Sequence, residues 1–364
     1  MTRRTAVFLV LFIVAILNGV GLLALSSMGA VIGAAFFKRQ LLFTVLSWLV
    51  CYIFSKISLR FLLKHRNAIL KLGIIGVILV LIPGIGHVVN GSRRWIYLGL
   101  NLQVSEFAKI ALIIWLAGYL SLYNVERYKF TDGFLKPISV CGFLSFFVLC
   151  EPDYGTTCLM MVTALAVLFL SGTRLRYLMS IVFLGIFAFL GLLFLSPVRL
   201  RRVTSFFDVE GHRFDATYQL WQGILCFAAG GLSGTGAGLG IQKLSYLPEA
   251  HTDFIFPVIA EELGGVVAIL LAVCFFILAF VVLCSLHGKK NNFARLLGSG
   301  AVLIIVFEAV INIGVVTGCL PTKGIALPFV SYGGSNLVAM YSLIGLIINC
   351  INAKEVDDAR FRLF

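Results

Sequence analysis

Met1-Thr2-Arg3-Arg4 leads through Thr5 into AVFLVLFIVAILNGVGLLALSS (residues 6–27), an apolar run without one charged side chain. A helix that spans a bilayer needs roughly 20 such residues. Two arginines ahead of an apolar run also suit a cleaved signal, but the apolar part of a signal is shorter, about 7–15 residues. This run moreover heads a series: apolar segments recur near 40–56, 68–86, 104–122, 138–151, 155–172, 178–196, 254–286, 297–319 and 335–352. An uncleaved first helix is therefore expected. The pattern predicts an all-α polytopic membrane protein with about ten transmembrane helices, in a single domain covering residues 1–364. Between 138–151 and 155–172 stands Glu151-Pro152-Asp153, which leaves a broken or paired arrangement open there.

Composition agrees. Of 364 residues, 60% are hydrophobic and 12% charged, and the mean hydropathy is +1.03. A water-soluble surface cannot be made from so little charge. The net charge of +13 does not argue for nucleic acid, because the basic residues are scattered singly between apolar runs. Topology explains them better. With the N-terminus inside, the inner segments carry Arg3, Arg4, Lys56, Arg60, Lys64, Arg66, Lys71, Arg127, Lys129, Lys136, Arg174, Arg176, Lys289, Lys290, Arg295, Lys354, Arg360 and Arg362. The outer segments carry fewer, and half of those sit in the single long loop 197–253, where the positive-inside rule has least weight. Both termini are thus expected in the cytoplasm, with the large extracytoplasmic loop between helices 7 and 8. Within that loop, residues 218–227 have amphipathic helical spacing and suit an interfacial helix. The nine cysteines form no CxxC pair and read as small apolar residues.

Polar chemistry gathers on the outer side, in 87–103, Glu151-Pro152-Asp153, 197–253 and 320–334. Ionisable groups inside a membrane are costly and demand a reason. Glu106 and Lys109, at i and i+3, can pair on one helix face. Asp153 is placed either to cap a helix or to face a cavity. Asp253 stands where the long loop enters the eighth span, with capping, shared with Thr252, as the plain alternative. Glu261 and Glu262 read as helix-packing or loop-anchoring groups, and Glu308 as a structural partner. The Gly-rich stretch 230–240 lacks a preceding strand, the GxGxxG spacing and a following Lys-Ser/Thr, so a nucleotide site is excluded. A tightly turned backbone is the better account. His87, His212, His251 and Cys319 have no zinc spacing, so no metal site is expected.

Taken together, GSRRWI (91–96), QVSEFAK (103–109), EPDYGT (151–156), LPEAHTDFIF (247–256) with AEELG (260–264), LPTKG (320–324) and LPFVSYGGS (327–335) resemble the motifs of the SEDS family, in family order. Departures are Val104 for proline, Glu151 for glutamine and Pro257 for a small residue. Pro257 falls in the first turn of its helix, where a missing N–H costs little. LPEAHTDFIF after Gln242-Lys243-Leu244, with the PTKG tetrad, is most similar to the cell-division branch rather than the elongation branch.

The resemblance implies a peptidoglycan glycosyltransferase that polymerises lipid II into β-1,4 glycan strands during septal wall synthesis. Asp253 matches the family's essential carboxylate and would be the catalytic general base. Lys109, with Arg93, Arg94 or Arg213, would stabilise the leaving pyrophosphate. Glu106 and Asp153 would orient Lys109 or bind substrate, and Trp95 would pack against sugar or shape the outer loop. No cofactor is required by the sequence, and a divalent cation (Mg2+ or Mn2+) stays open. Implied partners are lipid II, a single-span class B penicillin-binding transpeptidase, divisome regulators and membrane lipid, at the division site of the inner membrane. A lipid II flippase and a non-catalytic division scaffold are the alternatives.

Overall fold

The computed structural model describes residues 1–89, 92–97, 101–122, 129–194, 201, 204–215, 217–244 and 246–354. Gly91 of the first motif, and Arg127, Arg199, Arg202, Arg360 and Arg362 of the charge reading, lie outside them. The helices are α1 (Arg3–Ile32), α2 (Ala34–Lys56), α3 (Leu59–Leu81), α4 (Val104–Leu122), α5 (Lys136–Cys150, preceded by a π-helical turn Thr131–Leu135), α6 (Tyr154–Ser171), α7 (Leu175–Phe194), α8 (Tyr218–Gly230), α9 (Ile255–Leu263), α10 (Gly265–Leu286), α11 (Asn292–Val316) and α12 (Gly334–Asn352).

Eight stretches among the described residues are long and apolar enough to cross a membrane: α1, α2, α4, α5 with its π turn, α6, α10, α11 and α12. Helix α3 is equally long, but Arg60, Lys64 and Arg66 lie in its first half and Lys71 just past its midpoint. The most apolar part of α7 runs over Leu175–Phe187. Among the described residues the structure thus shows eight candidate spans of the polytopic fold, against the ten or so expected from the sequence. Local signals set several ends. Asp153 caps α6, Asn291 caps α11 through the Ala294 N–H at 3.0 Å, and Gly172 ends α6 in the left-handed conformation.

Inside lipid, apolar burial does not drive helices together, so close packing through small residues matters more. A Cβ on Gly345 of α12 would lie 2.4 Å from the Cys51 carbonyl oxygen of α2, and one on Gly300 of α11 would lie 2.7 Å from Ile113 of α4. At one end of the bundle the Asn349 amide donates to the carbonyls of Phe54 and Ile57, and the Lys289 ammonium to those of Cys350 and Ile351. This ties the ends of α2, α10 and α12 together. The opposite end carries the loops and the site.

Two features depart from the sequence expectations, and a third, the amphipathic helix over 218–227, is found where it was expected. The span expected over 254–286 is two helices, broken at Gly264 (φ 92°), where a Cβ would fall 2.3 Å from the Leu232 carbonyl oxygen. Apolarity continues through the break, so hydropathy does not reveal it. Segment 87–103 contains a three-stranded antiparallel sheet, β1 (Gly86–Val89), β2 (Ser92–Tyr97) and β3 (Asn101–Gln103), which pairs His87 with Trp95 and Trp95 with Gln103. Helix α8 buries Leu220, Gly223 and Cys226, and Gly223 meets the ring of Phe254.

The Gly-rich stretch wraps the α9–α10 junction. Gly234 (φ 80°) leaves no room for a Cβ, which would sit 2.4 Å from the Glu262 carbonyl oxygen, and the N–H groups of Thr235 and Gly236 donate to the carbonyls of Glu261 and Glu262. Glu261 also accepts the backbone N–H groups of Ile241 (2.8 Å) and Gln242 (3.3 Å), while Glu262 pairs with buried Lys243. Both glutamates therefore anchor the loop, as their spacing suggested.

Candidate active site

A cavity of about 460 Å³ opens at the loop end of the bundle. Its walls come from β2 (Arg94, Trp95), α4 (Glu106, Lys109), the α6 start (Asp153, Thr156), the 249–253 turn (Glu249, Asp253), α11 (Glu308), the 324–326 segment and α12 (Asn336). Chain segments more than 200 residues apart thus share one polar chamber.

Its floor is an ion cluster. The Lys109 ammonium lies 2.9 Å from Glu106 and 2.8 Å from Glu308, and all three are buried. The Asn336 amide nitrogen donates to Glu106 at 3.1 Å and to Glu308 at 2.6 Å. A buried charge is tolerable when paired and hydrogen-bonded, and here one cation and one amide serve two carboxylates. Both carboxylates engage the ammonium, which still lines the cavity. Beneath Lys109 the interior closes on Leu112, Ile113, Leu159, Met160 and Ile304, leaving no volume for water.

One wall is stapled by Arg94. Its Nε donates to the Glu151 carbonyl (3.2 Å) and its Nη2 to the Pro152 carbonyl (2.7 Å), while Nη1 stands 3.8 Å from Asp153. Asp153 caps α6 by accepting from the Thr156 N–H and hydroxyl, so both readings of that residue hold at once. Lys323 approaches Asp153 to 3.9 Å and lies over the Tyr154 ring.

The opposite wall presents Asp253. Its neighbours fix its main chain at three consecutive carbonyls. The Tyr332 N–H donates to His251 (2.9 Å), the Ser331 hydroxyl to Thr252 (2.6 Å) and the Asn312 amide to Asp253 itself (2.9 Å). The same Asn312 nitrogen donates to the Ile325 carbonyl at 2.6 Å. The Asp253 side chain accepts no hydrogen bond from a described residue and caps nothing; α9 begins after Phe254 without a side-chain cap. Burial, reinforced by Glu249, pushes its carboxyl up to about 7 against the opposing pull of Arg94 and Lys323. Gly324 packs against it so closely that a Cβ there would lie 2.5 Å from Oδ2.

The structure therefore brings together Asp253, Lys109, Glu106, Asp153, Trp95 and Arg94. It leaves Arg93 outside the lining, with its guanidinium toward the Leu81 carbonyl, and Arg213 on the surface beside Glu210 and the Phe214 ring. Asn312, Asn336 and Gly324 escaped the sequence reading, although polar Asn312 and Asn336 lie within apolar runs where a polar side chain is itself a signal. Among the described residues no three His, Cys, Asp or Glu side chains converge in a way that could hold a metal ion.

A family model described as "Cell cycle protein" (FTSW_RODA_SPOVE) matches residues 3–355. The chain is 42% identical over 324 residues to the "Probable peptidoglycan glycosyltransferase FtsW" of Coxiella burnetii, covering 88% of this chain and 87% of that relative. The crystal structure of Thermus thermophilus rod shape determining protein RodA is similar at 25% identity and a TM-score of 0.72, covering 96% and 97% of the two chains. A chain from a peptidoglycan synthase complex that coordinates polymerization and crosslinking has the same fold at 24% identity, with a TM-score of 0.79 and coverage of 94% and 96%.

Proposed function

The chain belongs to the FtsW/RodA/SpoVE family of cell cycle proteins, and from that premise we propose that it is a peptidoglycan glycosyltransferase acting in septal wall synthesis. The observation that carries the proposal is the Asp253 carboxylate, which accepts no hydrogen bond from a described residue and is held by its backbone in the wall of a polar cavity that also carries cations. Glycosyl transfer from a lipid pyrophosphate needs little more than a base for the attacking hydroxyl and positive charge for the leaving group.

In this reading lipid II is the substrate. Asp253 takes the proton from the acceptor's GlcNAc 4-hydroxyl as that oxygen attacks the donor's anomeric carbon. The new carbon–oxygen bond forms while the bond to undecaprenyl pyrophosphate breaks, inverting an α-linked donor to a β-1,4 product. A carboxyl raised to about 7 is a stronger base than a free aspartate and is still ionised in useful proportion at neutral pH. Arg94 on the facing wall, with Lys323 behind it at Asp153, and Lys109 on the floor supply positive charge for the leaving group. Lys109, paired with Glu106 and Glu308, holds both in register and shapes the floor.

The clustering of the polar groups in the chamber at the loop end, with no room for water in the pocket directly beneath Lys109, supports polymerisation over a flippase. As partner we propose a single-span class B penicillin-binding transpeptidase, with divisome regulators at the division site of the inner membrane. That the similar solved complex coordinates polymerization with crosslinking supports this. The test uses proteoliposomes loaded with fluorescent lipid II, followed both for glycan chains and for passage of label across the bilayer. Glycan without translocation is expected; translocation without glycan would replace the enzyme by a flippase.

A further inference from the structure

A second cavity, of about 440 Å³, opens between α3, α4 and α5, well away from the outer chamber. Its depth follows from helical rise. Trp115 lies seven residues from the Leu122 end of α4, roughly 10 Å inward at about 1.5 Å per residue. This is the end of the bundle that the charge distribution assigns to the cytoplasm. Trp115 Nε1 donates to Asn67 Oδ1 at 3.0 Å, which sets Asn67 at the same level, and Lys71 follows one turn on.

Two donors of this cavity have no acceptor among the described residues. Indole N–H can only donate, so the bond from Trp115 identifies the Asn67 oxygen and leaves its amide nitrogen as the group to be satisfied. That nitrogen and the Lys71 ammonium have no hydrogen-bond or ion-pair partner among the described residues, and no Asp or Glu lines the cavity. At i and i+4 the two side chains share one face of α3. Around them the walls are mostly apolar, with Ile74 on α3 and Phe143 of α5, which is 54% exposed; Ser139 also lines the cavity and turns its hydroxyl to the Lys136 carbonyl. A cation and an amide facing hydrocarbon are costly unless an anion with several acceptor oxygens sits against them.

We infer that this groove binds one acidic phospholipid of the inner leaflet, its phosphodiester against Lys71 and Asn67 and an acyl chain along Ile74 and Phe143. A zwitterionic lipid brings its own ammonium to the same place and is the poorer fit. The inner leaflet is where anionic lipid meets the basic segments of such proteins. Helix α3 reinforces the match, because Arg60, Lys64 and Arg66 precede Lys71 without a single acidic residue on the helix.

The test is native mass spectrometry of the full-length protein, stripped of lipid in detergent and offered equal amounts of phosphatidylglycerol and phosphatidylcholine with identical acyl chains. One retained phosphatidylglycerol is expected, favoured about five- to tenfold, the worth of one cation near the membrane surface or slightly more. Lys71→Met keeps the chain length and suits lipid, and should erase the preference; Lys71→Arg should keep it. Val140→Trp, filling the groove from α5, should also cut retention, giving a second variant that leaves the cation in place. Unchanged phosphatidylglycerol retention in Lys71→Met would overturn the inference. So would an equal loss in Lys64→Met, which would reduce the effect to diffuse inner-face charge, or displacement of the lipid by millimolar inorganic phosphate.

Discussion

Replacing Asn312 by alanine is the sharpest probe of how the site is held. One amide nitrogen donates at 2.9 Å to the carbonyl of Asp253 and at 2.6 Å to that of Ile325, so its loss frees both sides of the loop contact around the Asp253 carboxylate, the base of the proposed reaction. Each buried carbonyl left without a donor costs about 1–3 kcal/mol. Against this, the Asn312 oxygen is itself buried without a partner, and removing it relieves part of that cost. A net destabilisation of about 2–4 kcal/mol follows. Two further ties, to the His251 and Thr252 carbonyls, keep the turn in place, so the protein should fold while Asp253 loses its fixed position. A displacement of about 1 Å at a reacting group can cost about 100-fold in rate. The assay is polymerisation of purified lipid II, with thermal unfolding followed on the same preparations. We expect kcat to fall about 10- to 100-fold with KM changed little. Asn312→Asp should be worse than alanine, because it sets an acceptor against two carbonyl oxygens. A kcat for Asn312→Ala within twofold of wild type, in a protein whose melting temperature has fallen, would refute the positioning argument.

Other expectations follow from the same geometry. The polymerisation rate should rise with pH through about 7, because Asp253 must lose its proton to act as base; Glu249→Gln removes a neighbouring negative charge, so the acidic limb of the pH–rate profile should move to lower pH. Glu151 is wholly buried at the α5–α6 turn with neither oxygen hydrogen-bonded, and burial, aided by Asp153, pushes its carboxyl up to about 8. Its folded pKa is raised above the ordinary value, so its contribution is fully present below about 4.5 and is lost as pH rises through about 8. Glu151→Gln should therefore raise the melting temperature at pH 8–9 and flatten its fall with pH. Lys109→Met leaves Glu106 and Glu308 facing each other without their cation and should cost about 3–5 kcal/mol in stability; adding Glu308→Gln should restore much of it, as a double-mutant thermal series would show.

Much of this architecture is legible in the primary structure because lipid imposes a simple rule. Apolar runs of the right length located the spans, and the motif residues Asp153 and Asp253 reached the cavity. What stayed hidden depends on three-dimensional closure. The break at Gly264 is a backbone conformation inside continuous apolarity, invisible to hydropathy. Glu308 was read as a structural partner, and it is one, but its partner is Lys109, 199 residues away, which makes it part of the cavity floor. The pairing of Lys109 with a second carboxylate, that of Glu308, could not be read from the i,i+3 pair alone. Asn312 and Asn336 act through contacts that no local spacing announces.

The most direct test of the central claim compares lipid II polymerisation by the wild type and by Asp253→Asn, each co-purified with its transpeptidase and shown to be equally folded. The substitution keeps shape and backbone ties while removing the only basic group of that side chain. Glycan strands from the wild type, with the variant reduced by at least about 100-fold, the scale of general-base catalysis, are the expected result. Strands made by Asp253→Asn at the wild-type rate would contradict the account.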